Sequence, residues 1–462
     1  MLNQSERKRY RELGMRTQKG VFKKWYKAGL LKKIDKELAE EVKDYWKDKT
    51  EKYIDPTLHT AFMNITGRKD ARLITTGLYH YEIMPVLNDY SMTEYYGDKN
   101  IYDLVLGTSN SAITVLRNIR GKYFDKDYNN IGPEEAKQIL LNNVEKGLII
   151  KPSKSNNGLG IKKLNILDNE IYVGKKRISI YQLLDEYKGN FIIQEMLKQH
   201  PNMAAPHPDS VNTIRMITFR WKNDIRYLMA FARFGSNGDI RDNATVDISP
   251  RVGVKDNGEF FEYGVSQNLE KFTHHPTTGY DISKLEPIPN YDEFKQFVIN
   301  RHKNLLHVDV VSWDIAVGVD GKPVFIEANF KGSISFYQLV TQKPFFGDLT
   351  EEVMEYVKEE YNSKNPVLEK SYIRRRNKIQ ATNDRKKHEE KDKIIADLRK
   401  EVKTNTYSNE LTDKISKLKS ELRSLKKENE MCKKENKKLK QSSSWKVTAP
   451  MRKVSSLIKK KK

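Results

Sequence analysis

Two consecutive apolar runs, VSWDIAVGV and KPVFIEANF, each carry acidic side chains where a buried strand would normally be apolar. The dipeptide Asp320-Gly321 between them favours a two-residue hairpin turn. That turn would place Asp314 directly opposite Glu327, and strand alternation puts Asn329 on the same face. The spacing therefore predicts two carboxylates and an amide gathered on one side of a hairpin.

Directly opposed carboxylates repel each other across strands, so either a shared proton or a bound cation is expected between them. With oxygen donors alone, the expected ion is Mg²⁺ or Mn²⁺ rather than zinc. Mg²⁺ held by few carboxylates completes its coordination with water and substrate phosphates, which indicates a nucleotide. The alternative is an ordinary acidic face in solvent, which the flanking Val, Phe, Ile and Trp residues disfavour.

Three further stretches carry candidate groups. In IIKPSKSNNGLG, Lys151 precedes a loop with Gly158 and Gly160, whose backbone amides could hold phosphates. The loop matches neither common nucleotide-binding glycine motif, and a plain hairpin loop is the alternative. In FIIQEML, Glu195 ends an apolar run and would either meet an adenosine or reach solvent. In SVNTIRMIT, Arg215 requires an anionic partner, which is either a phosphate or a structural carboxylate.

Other chemistries have little support. The nine histidines show no zinc-ligand spacing, and the sequence contains neither HExxH nor GxSxG. A single cysteine excludes an internal disulfide framework and fits a reducing compartment. The start shows no secretory signal, and no apolar run reaches the roughly 20 residues of a membrane-spanning helix. A cytoplasmic protein is expected.

These groups need a scaffold of helices and strands. Residues 148–330 alternate short apolar runs with Gly, Asn and Asp clusters, which predicts an α+β core. We expect a basic helical region over residues 1–60 and the α+β domain over residues 61–362. An amphipathic helix is predicted from apolar residues at three- and four-residue steps: Leu30, Leu31, Ile34, Leu38, Val42 and Trp46.

The C-terminal region differs in composition from the rest. Residues 365–462 carry 31 Lys and Arg against 13 Asp and Glu, whereas the preceding residues carry 53 against 49. Residues 363–440 are predicted to form a coiled coil and therefore a homodimer. Its heptad positions are Leu411, Ile415, Leu418, Leu422, Leu425, Asn429, Cys432, Asn436 and Leu439.

Residues 441–462 form a short cationic amphipathic tail with Val447, Met451, Val454 and Ile458 on one helical face. The tail would lie on an anionic membrane surface or act as a solubilising extension. Nucleic acid is a weaker partner, because no basic patch interleaved with aromatics appears in the preceding domain.

In combination, these motifs resemble the ATP-grasp superfamily. The strings TVLRNIRGKYFD, QHP, SVNTIRMIT and WDIAVGVDGKPVFIEANFKG are similar to its sugar-transfer-associated branch, and the resemblance covers about residues 40–360. Separately, SSSWKVTAPMR resembles a short motif at the ends of bacterial glycosyltransferases and other surface-polysaccharide proteins.

The resemblance implies an ATP-grasp fold, in which two α+β subdomains enclose ATP. Arg215 would stabilise the transferring phosphoryl group or the acyl phosphate. The remaining implied roles are phosphate contacts from Lys151, Gly158 and Gly160, an adenosine contact from Glu195, and Mg²⁺ ligation by Asp314, Glu327 and Asn329.

Two departures from the superfamily pattern stand out. The loop reads NNGLG, where richer glycine runs are common. The first phosphate-binding lysine has no evident counterpart, with Arg117 and Lys122 as candidates. Asp242, Asn243 and Asp247 are candidates for the acceptor side of the site.

The expected function is an Mg-ATP-dependent ligase that joins a carboxylate to an amine or thiol through an acyl phosphate. Its acceptor would be a small molecule or glycan precursor in bacterial surface-polysaccharide biosynthesis, at the inner face of the membrane. One alternative is an ATP-dependent scaffold that recruits glycosyltransferases to the membrane. A second alternative is a sugar phosphotransferase.

Overall fold

We describe the chain from a computed structural model, which covers residues 1–107, 109–155, 158–242 and 248–362 and the single residues Glu389, Ile394, Ala396, Asp397 and Ser420. Among the described residues, Met1–Glu359 form one compact unit. The predicted heptad residues and the cationic tail lie outside the described residues. Within the described ranges, no helix is long and apolar enough to cross a membrane.

Short helices make up most of the first 106 residues. They are α1 (Gln4–Glu12), α2 (Gly20–Lys27), α3 (Lys36–Trp46), α4 (Thr57–Thr66), α5 (Thr76–Leu78), α6 (Met84–Leu87), α7 (Tyr90–Tyr96) and α8 (Tyr102–Leu106), with a π-helical turn at Tyr79–Ile83 and a 3₁₀ turn at Lys99–Ile101. The observed helix α3 is shorter than the run of apolar residues from which an amphipathic helix was predicted. Asp35 caps α3 by accepting a hydrogen bond from the Leu38 amide, so Leu30, Leu31 and Ile34 precede the helix.

The first sheet has eight strands in the order β3-β2-β1-β8-β4-β5-β6-β7, and all neighbours are antiparallel. The strands are β1 (Thr114–Ile119), β2 (Lys122–Phe124), β3 (Asn130–Ile131), β4 (Leu148–Pro152), β5 (Lys162–Leu167), β6 (Glu170–Val173), β7 (Lys176–Arg177) and β8 (Asn190–Glu195). Helices α9 (Pro133–Leu141) and α10 (Ile180–Glu186) contribute to the apolar core on one face. Leu148 and Ile150 of β4 join that core, so alternation turns Lys151 to the other face.

The second sheet has seven strands in the order β13-β12-β11-β10-β9-β14-β15. Its strands are β9 (Thr213–Trp221), β10 (Asp224–Arg233), β11 (Arg251–Val254), β12 (Phe260–Val265), β13 (Lys271–Phe272), β14 (Val310–Val317) and β15 (Pro323–Asn329). The associated helices are α11 (Pro201–Ala204), α12 (Tyr291–His302), α13 (Ile334–Thr341) and α14 (Thr350–Asn362), and 3₁₀ turns occur at Val144–Lys146, Ile282–Lys284 and Gly347–Leu349. Trp313 and Ile315 pack in the core with Phe294 of α12, which leaves Asp314 and Arg215 on the opposite face.

One extended segment links the two sheets. The Phe325 amide of β15 donates to the Asn110 carbonyl at 2.8 Å, and the Ala112 amide donates to the Phe325 carbonyl at 3.2 Å. On its other side, the Ile113 carbonyl accepts a 3.0 Å bond from the Glu195 amide at the end of β8. The segment therefore holds the edge strand of the second sheet beside the first.

The β14–β15 hairpin has the predicted register at its acidic residues but a different turn. Asp314 pairs directly with Glu327, as predicted. The predicted two-residue turn is wrong, because the Gly321 amide bonds the Gly318 carbonyl at 2.9 Å and Val317 pairs with Pro323. A register shift between Asp314 and Ile315 compensates for the longer turn.

Arg117 is a structural residue, since its side chain is fully buried in β1. Its Nη1 donates to the carbonyls of Asp125 and Lys126 at 3.1 and 2.8 Å, and Nε donates to Asn100 at 3.1 Å. Its Nη2 pairs with the Asp103 carboxylate. Every nitrogen of the guanidinium thus has a protein partner, and the side chain is fully buried.

We predict that Arg117→Met lowers the free energy of unfolding by about 3–5 kcal/mol, because Asp103 loses its buried cation. Urea unfolding measures the change. Lys122→Met is the matched control, since Lys122 is exposed and its loss should change stability by no more than about 0.5 kcal/mol. An Arg117→Met variant with unchanged stability and impaired ATP binding would contradict the structural role.

Candidate active site

Asp314 lies at the centre of the polar face of the second sheet and is 3% exposed. Arg215, its cross-strand partner on β9, donates through Nη2 to Oδ2 at 2.8 Å and through Nε to Oδ1. Arg233, the last residue of β10, reaches Oδ2 at 3.0 Å. The side-chain nitrogen Nδ2 of Asn329 donates to the same oxygen at 3.2 Å. The structure therefore brings Arg215, Arg233 and Asn329 together at Asp314.

Opposite charges decide the ionisation of this cluster. Burial raises the pKa of Asp314, but Arg215 and Arg233 outweigh burial and hold that pKa below its usual range. Burial lowers the pKa of Arg215, yet Asp314 and then Tyr337 raise it on balance. The pair is thus fully ionised at neutral pH. Of the two partners that the sequence left open for Arg215, the structure shows the carboxylate.

Glu327 is neutralised by a lysine that sequence reasoning missed. Lys99 is 4% exposed, and its Nζ lies 3.2 Å from Glu327 Oε1 and donates to the Ser155 carbonyl at 3.0 Å. It sits in a polar 3₁₀ turn more than 200 residues before Glu327, and nothing in the local pattern marks it. The opposed carboxylates Asp314 and Glu327 therefore each have their own cationic partners.

Lys151 brings a second ammonium group close to Lys99 and Glu327. It is 4% exposed, and burial, reinforced by Lys99 and opposed by Glu327, lowers its pKa to about 8. A lysine charge near a second lysine stabilises an anionic ligand. Lys99 thus lies close to Lys151, and the identity of the first phosphate-binding lysine, for which Arg117 and Lys122 were candidates, stays a prediction.

The loop after β4 has the backbone geometry that its glycines predict. Gly158 and Gly160 have φ values of 65° and 81°, which favour glycine. A Cβ on Gly160 would come within 2.8 Å of the Pro152 ring. Residues 156–157 lie outside the described residues, so the phosphate-binding role of the loop stays a prediction.

Glu195 is not brought together with Lys151. It pairs with Leu148 in the β4–β8 register, three residues from Lys151, and so faces the other side of the sheet. Its Oε1 lies 2.7 Å from the Nζ of Lys146. Its contact with adenosine stays a prediction.

Of the three acceptor candidates, Asp242 is described and Asn243 and Asp247 are not. Asp242 is 7% exposed, and its Oδ2 lies 2.8 Å from Arg233 Nη2 and accepts a hydrogen bond from Thr213. Since Arg233 also contacts Asp314, the acceptor candidate joins the central cluster.

Tyr337 of α13 is a further residue that the sequence did not indicate. Its hydroxyl accepts a 2.9 Å hydrogen bond from Arg215 Nη1. A Cβ on Gly332 would lie 2.7 Å from the Tyr337 ring, so glycine is needed where the chain passes this side chain. Gly332 thus has a packing role beside the cluster.

The oxygen donors of the hairpin fit a magnesium ion. Among the described residues, no three His, Cys, Asp or Glu side chains are grouped so that they could hold a metal. The donors at the hairpin are the carboxylates of Asp314 and Glu327 and the side-chain amide of Asn329. Glu327 Oε2 and Asn329 Oδ1 have no hydrogen bond within the described part of the chain, and Asp314 Oδ1 accepts only one. Such a sparse oxygen set suits Mg²⁺ that takes its other ligands from water and phosphates.

A separate cavity of about 360 Å³ lies at the far end of β9. Its lining includes Trp221, six residues and about 20 Å along the strand from Arg215. There Lys222 pairs with Glu352, and Arg220 Nε lies 4.0 Å from Asp309. Carboxylates exceed cations in this lining, so it lacks the positive charge that a phosphate requires.

Comparison with known proteins gives a family and a set of distant structures. Residues 80–353 match the family described as sugar-transfer associated ATP-grasp. VanG D-Ala:D-Ser ligase from Enterococcus faecalis shares 11% identity over 59% of this chain and 64% of its own, with a TM-score of 0.37. The ATP-grasp ligase PsnB, complexed with minimal precursor, Mg and ADP, shares 12% identity over 59% and 62%, with a TM-score of 0.34. The chain thus spans less than two thirds of each of these proteins. No curated protein matches the chain.

The low pKa of Lys151 predicts that ATP affinity falls with rising pH. With a pKa of about 8, the protonated fraction drops from about 0.9 at pH 7 to about 0.1 at pH 9, so the apparent Kd should rise about tenfold. Lys151→Arg should abolish this dependence, because a guanidinium stays charged. Calorimetric titration with ATP across pH 7–9 measures the apparent Kd. An equal rise of Kd with pH in wild type and in Lys151→Arg would contradict the prediction.

Proposed function

Because the chain belongs to the sugar-transfer-associated ATP-grasp family, we propose that it is an Mg-ATP-dependent ligase that joins a carboxylate to an amine or thiol. The observation that carries this proposal is the mixed charge of the cluster. Lys99 and Lys151 lie close to Glu327. Arg215 and Arg233 contact Asp314. Four cations thus meet three carboxylates, Asp242 included, and the excess positive charge suits a polyphosphate.

In the proposed site, the phosphates lie between the two sheets. Lys99 and Lys151 hold them from the side of the first sheet, together with the amides after Lys151. Mg²⁺ held by Asp314, Glu327 and Asn329 would screen the charge of the phosphates. Arg215 lies beside these ligands and would offset negative charge on the transferring phosphoryl group.

The proposed reaction has two steps. A substrate carboxylate oxygen attacks the terminal phosphorus of ATP, the bond to ADP breaks, and an acyl phosphate forms. The amine or thiol then attacks the acyl carbon, loses its proton, and expels inorganic phosphate. No protein nucleophile takes part, which agrees with the absence of a nucleophilic motif in the sequence.

The biological setting is proposed from sequence alone. The SSSWKVTAPMR motif supports a role in surface-polysaccharide biosynthesis, with a glycan precursor or small molecule as acceptor. The heptads support a homodimer, and the cationic tail supports an anionic membrane surface at the inner face, where glycosyltransferases would be partners.

The acyl phosphate provides the test of this function. With hydroxylamine as the amine, a ligase should form a hydroxamate from its carboxylate substrate, with one ADP and one phosphate per product. Lys99→Met and Lys151→Met should each lower kcat/KM by at least about 100-fold. Lys122→Met, at an exposed position of β2, is the control and should leave kcat/KM unchanged.

The alternatives give different products in the same assay. A sugar phosphotransferase would release ADP and a phosphorylated sugar without free phosphate. An ATP-dependent scaffold would bind ATP but show no multiple turnover with any carboxylate in a broad panel. Either result would contradict the ligase proposal.

A further inference from the structure

Asp314 is contacted by side chains from three other strands of the same sheet. Its Oδ2 lies within 3.2 Å of nitrogens from Arg215, Arg233 and Asn329, and its Oδ1 accepts a bond from Arg215 Nε. A carboxylate has about four acceptor sites in all, two on each oxygen. Oδ2 is therefore saturated, and a divalent cation approaching Oδ1 meets two guanidinium charges.

Arg233 is the less obvious of these two cations, because it stands across the sheet from Asp314 with β9 between them. Its Nη2 and Nε donate to Thr213 Oγ1 at 2.8 and 3.1 Å. The same Nη2 lies 2.8 Å from Asp242 Oδ2 and 3.0 Å from Asp314 Oδ2. The guanidinium, with its side chain 11% exposed, is thus shared between two carboxylates.

On the premise of the nucleotide site above, we propose that Arg233 is a positioning residue that keeps a divalent cation off Asp314 until a polyphosphate has bound. A metal ion alone is repelled by Arg215, Arg233, Lys99 and Lys151, which in this low-dielectric setting are poorly screened. Phosphates offset those charges and draw Arg215 toward themselves, which frees an oxygen of Asp314. Metal and nucleotide then bind as a coupled pair, each raising the affinity for the other by the same factor.

Because Arg233 is shared between Asp242 and Asp314, a substitution of Arg233 and a substitution of Asp242 should change metal affinity in opposite directions. Arg233→Met keeps an unbranched stem of similar bulk but removes the charge, so metal affinity without nucleotide should rise. Asp242→Asn removes the competing carboxylate, leaving the whole charge of Arg233 for Asp314, so metal affinity without nucleotide should fall. If Arg233 had only a structural role, Arg233→Met and Asp242→Asn would not change metal affinity in opposite directions.

Manganese titration followed by electron paramagnetic resonance tests the proposal on the full chain, because only free Mn²⁺ gives the strong signal. Each protein is titrated alone and with a non-hydrolysable ATP analogue, and the Mn²⁺ that the analogue binds without protein is subtracted. We expect wild type to bind Mn²⁺ weakly alone and at least about tenfold more tightly with the analogue. Arg233→Met should reduce that ratio at least about fivefold by binding Mn²⁺ more tightly alone.

Arg226→Met is the matched control, since Arg226 lies on the same strand, is half exposed and pairs with Asp224. It should behave as wild type. Arg233→Lys, which keeps the charge, provides a second reading if Arg233→Met fails to fold, and it should retain most of the coupling.

The outcomes separate the inference from the proposed function. Tight Mn²⁺ binding by wild type without nucleotide would overturn the inference alone, as would an unchanged ratio in both folded Arg233→Met and Asp242→Asn. Absence of Mn²⁺ binding by wild type even with the analogue would overturn the nucleotide site and the inference together.

Discussion

The arrangement depends on two carboxylates, Asp314 and Glu327, that face each other across neighbouring strands. Such a pair weakens a sheet unless cations neutralise it. Here Arg215 and Arg233 neutralise one member from within the same sheet, and Lys99 neutralises the other from the helical region. Because each carboxylate has its own cations, the repulsion between the two is offset. Buried charges at this density are costly without a ligand, which suggests that the cluster serves binding rather than stability.

The architecture explains why the charges meet. The second sheet supplies the carboxylates and guanidiniums from consecutive strands, whereas the first sheet supplies Lys151 from the face turned away from its core. The segment at residues 110–113 bonds the end of β8 on one side and β15 on the other. The two halves of the site are thereby held in register by backbone hydrogen bonds, independently of the charged side chains.

The pairing of Asp314 with Glu327 was predicted from the hairpin turn, and strand alternation added only that Asn329 shares their face. The turn was predicted wrongly, since a longer turn and a register shift give the same pairing at the acidic end. Lys99 could not be predicted, because its contact with Glu327 spans 228 residues and no local pattern encodes it. The sharing of Arg233 between Asp242 and Asp314 likewise arises only once three strands are assembled.

The most direct measurement is calorimetric titration of the full chain with ATP, with and without Mg²⁺, in wild type and in the double variant Asp314→Asn/Glu327→Gln. The account predicts magnesium-dependent binding by wild type that is lost in the double variant, with both proteins folded by circular dichroism. Binding of equal affinity in both proteins, or no binding by folded wild type, would contradict the metal–nucleotide site.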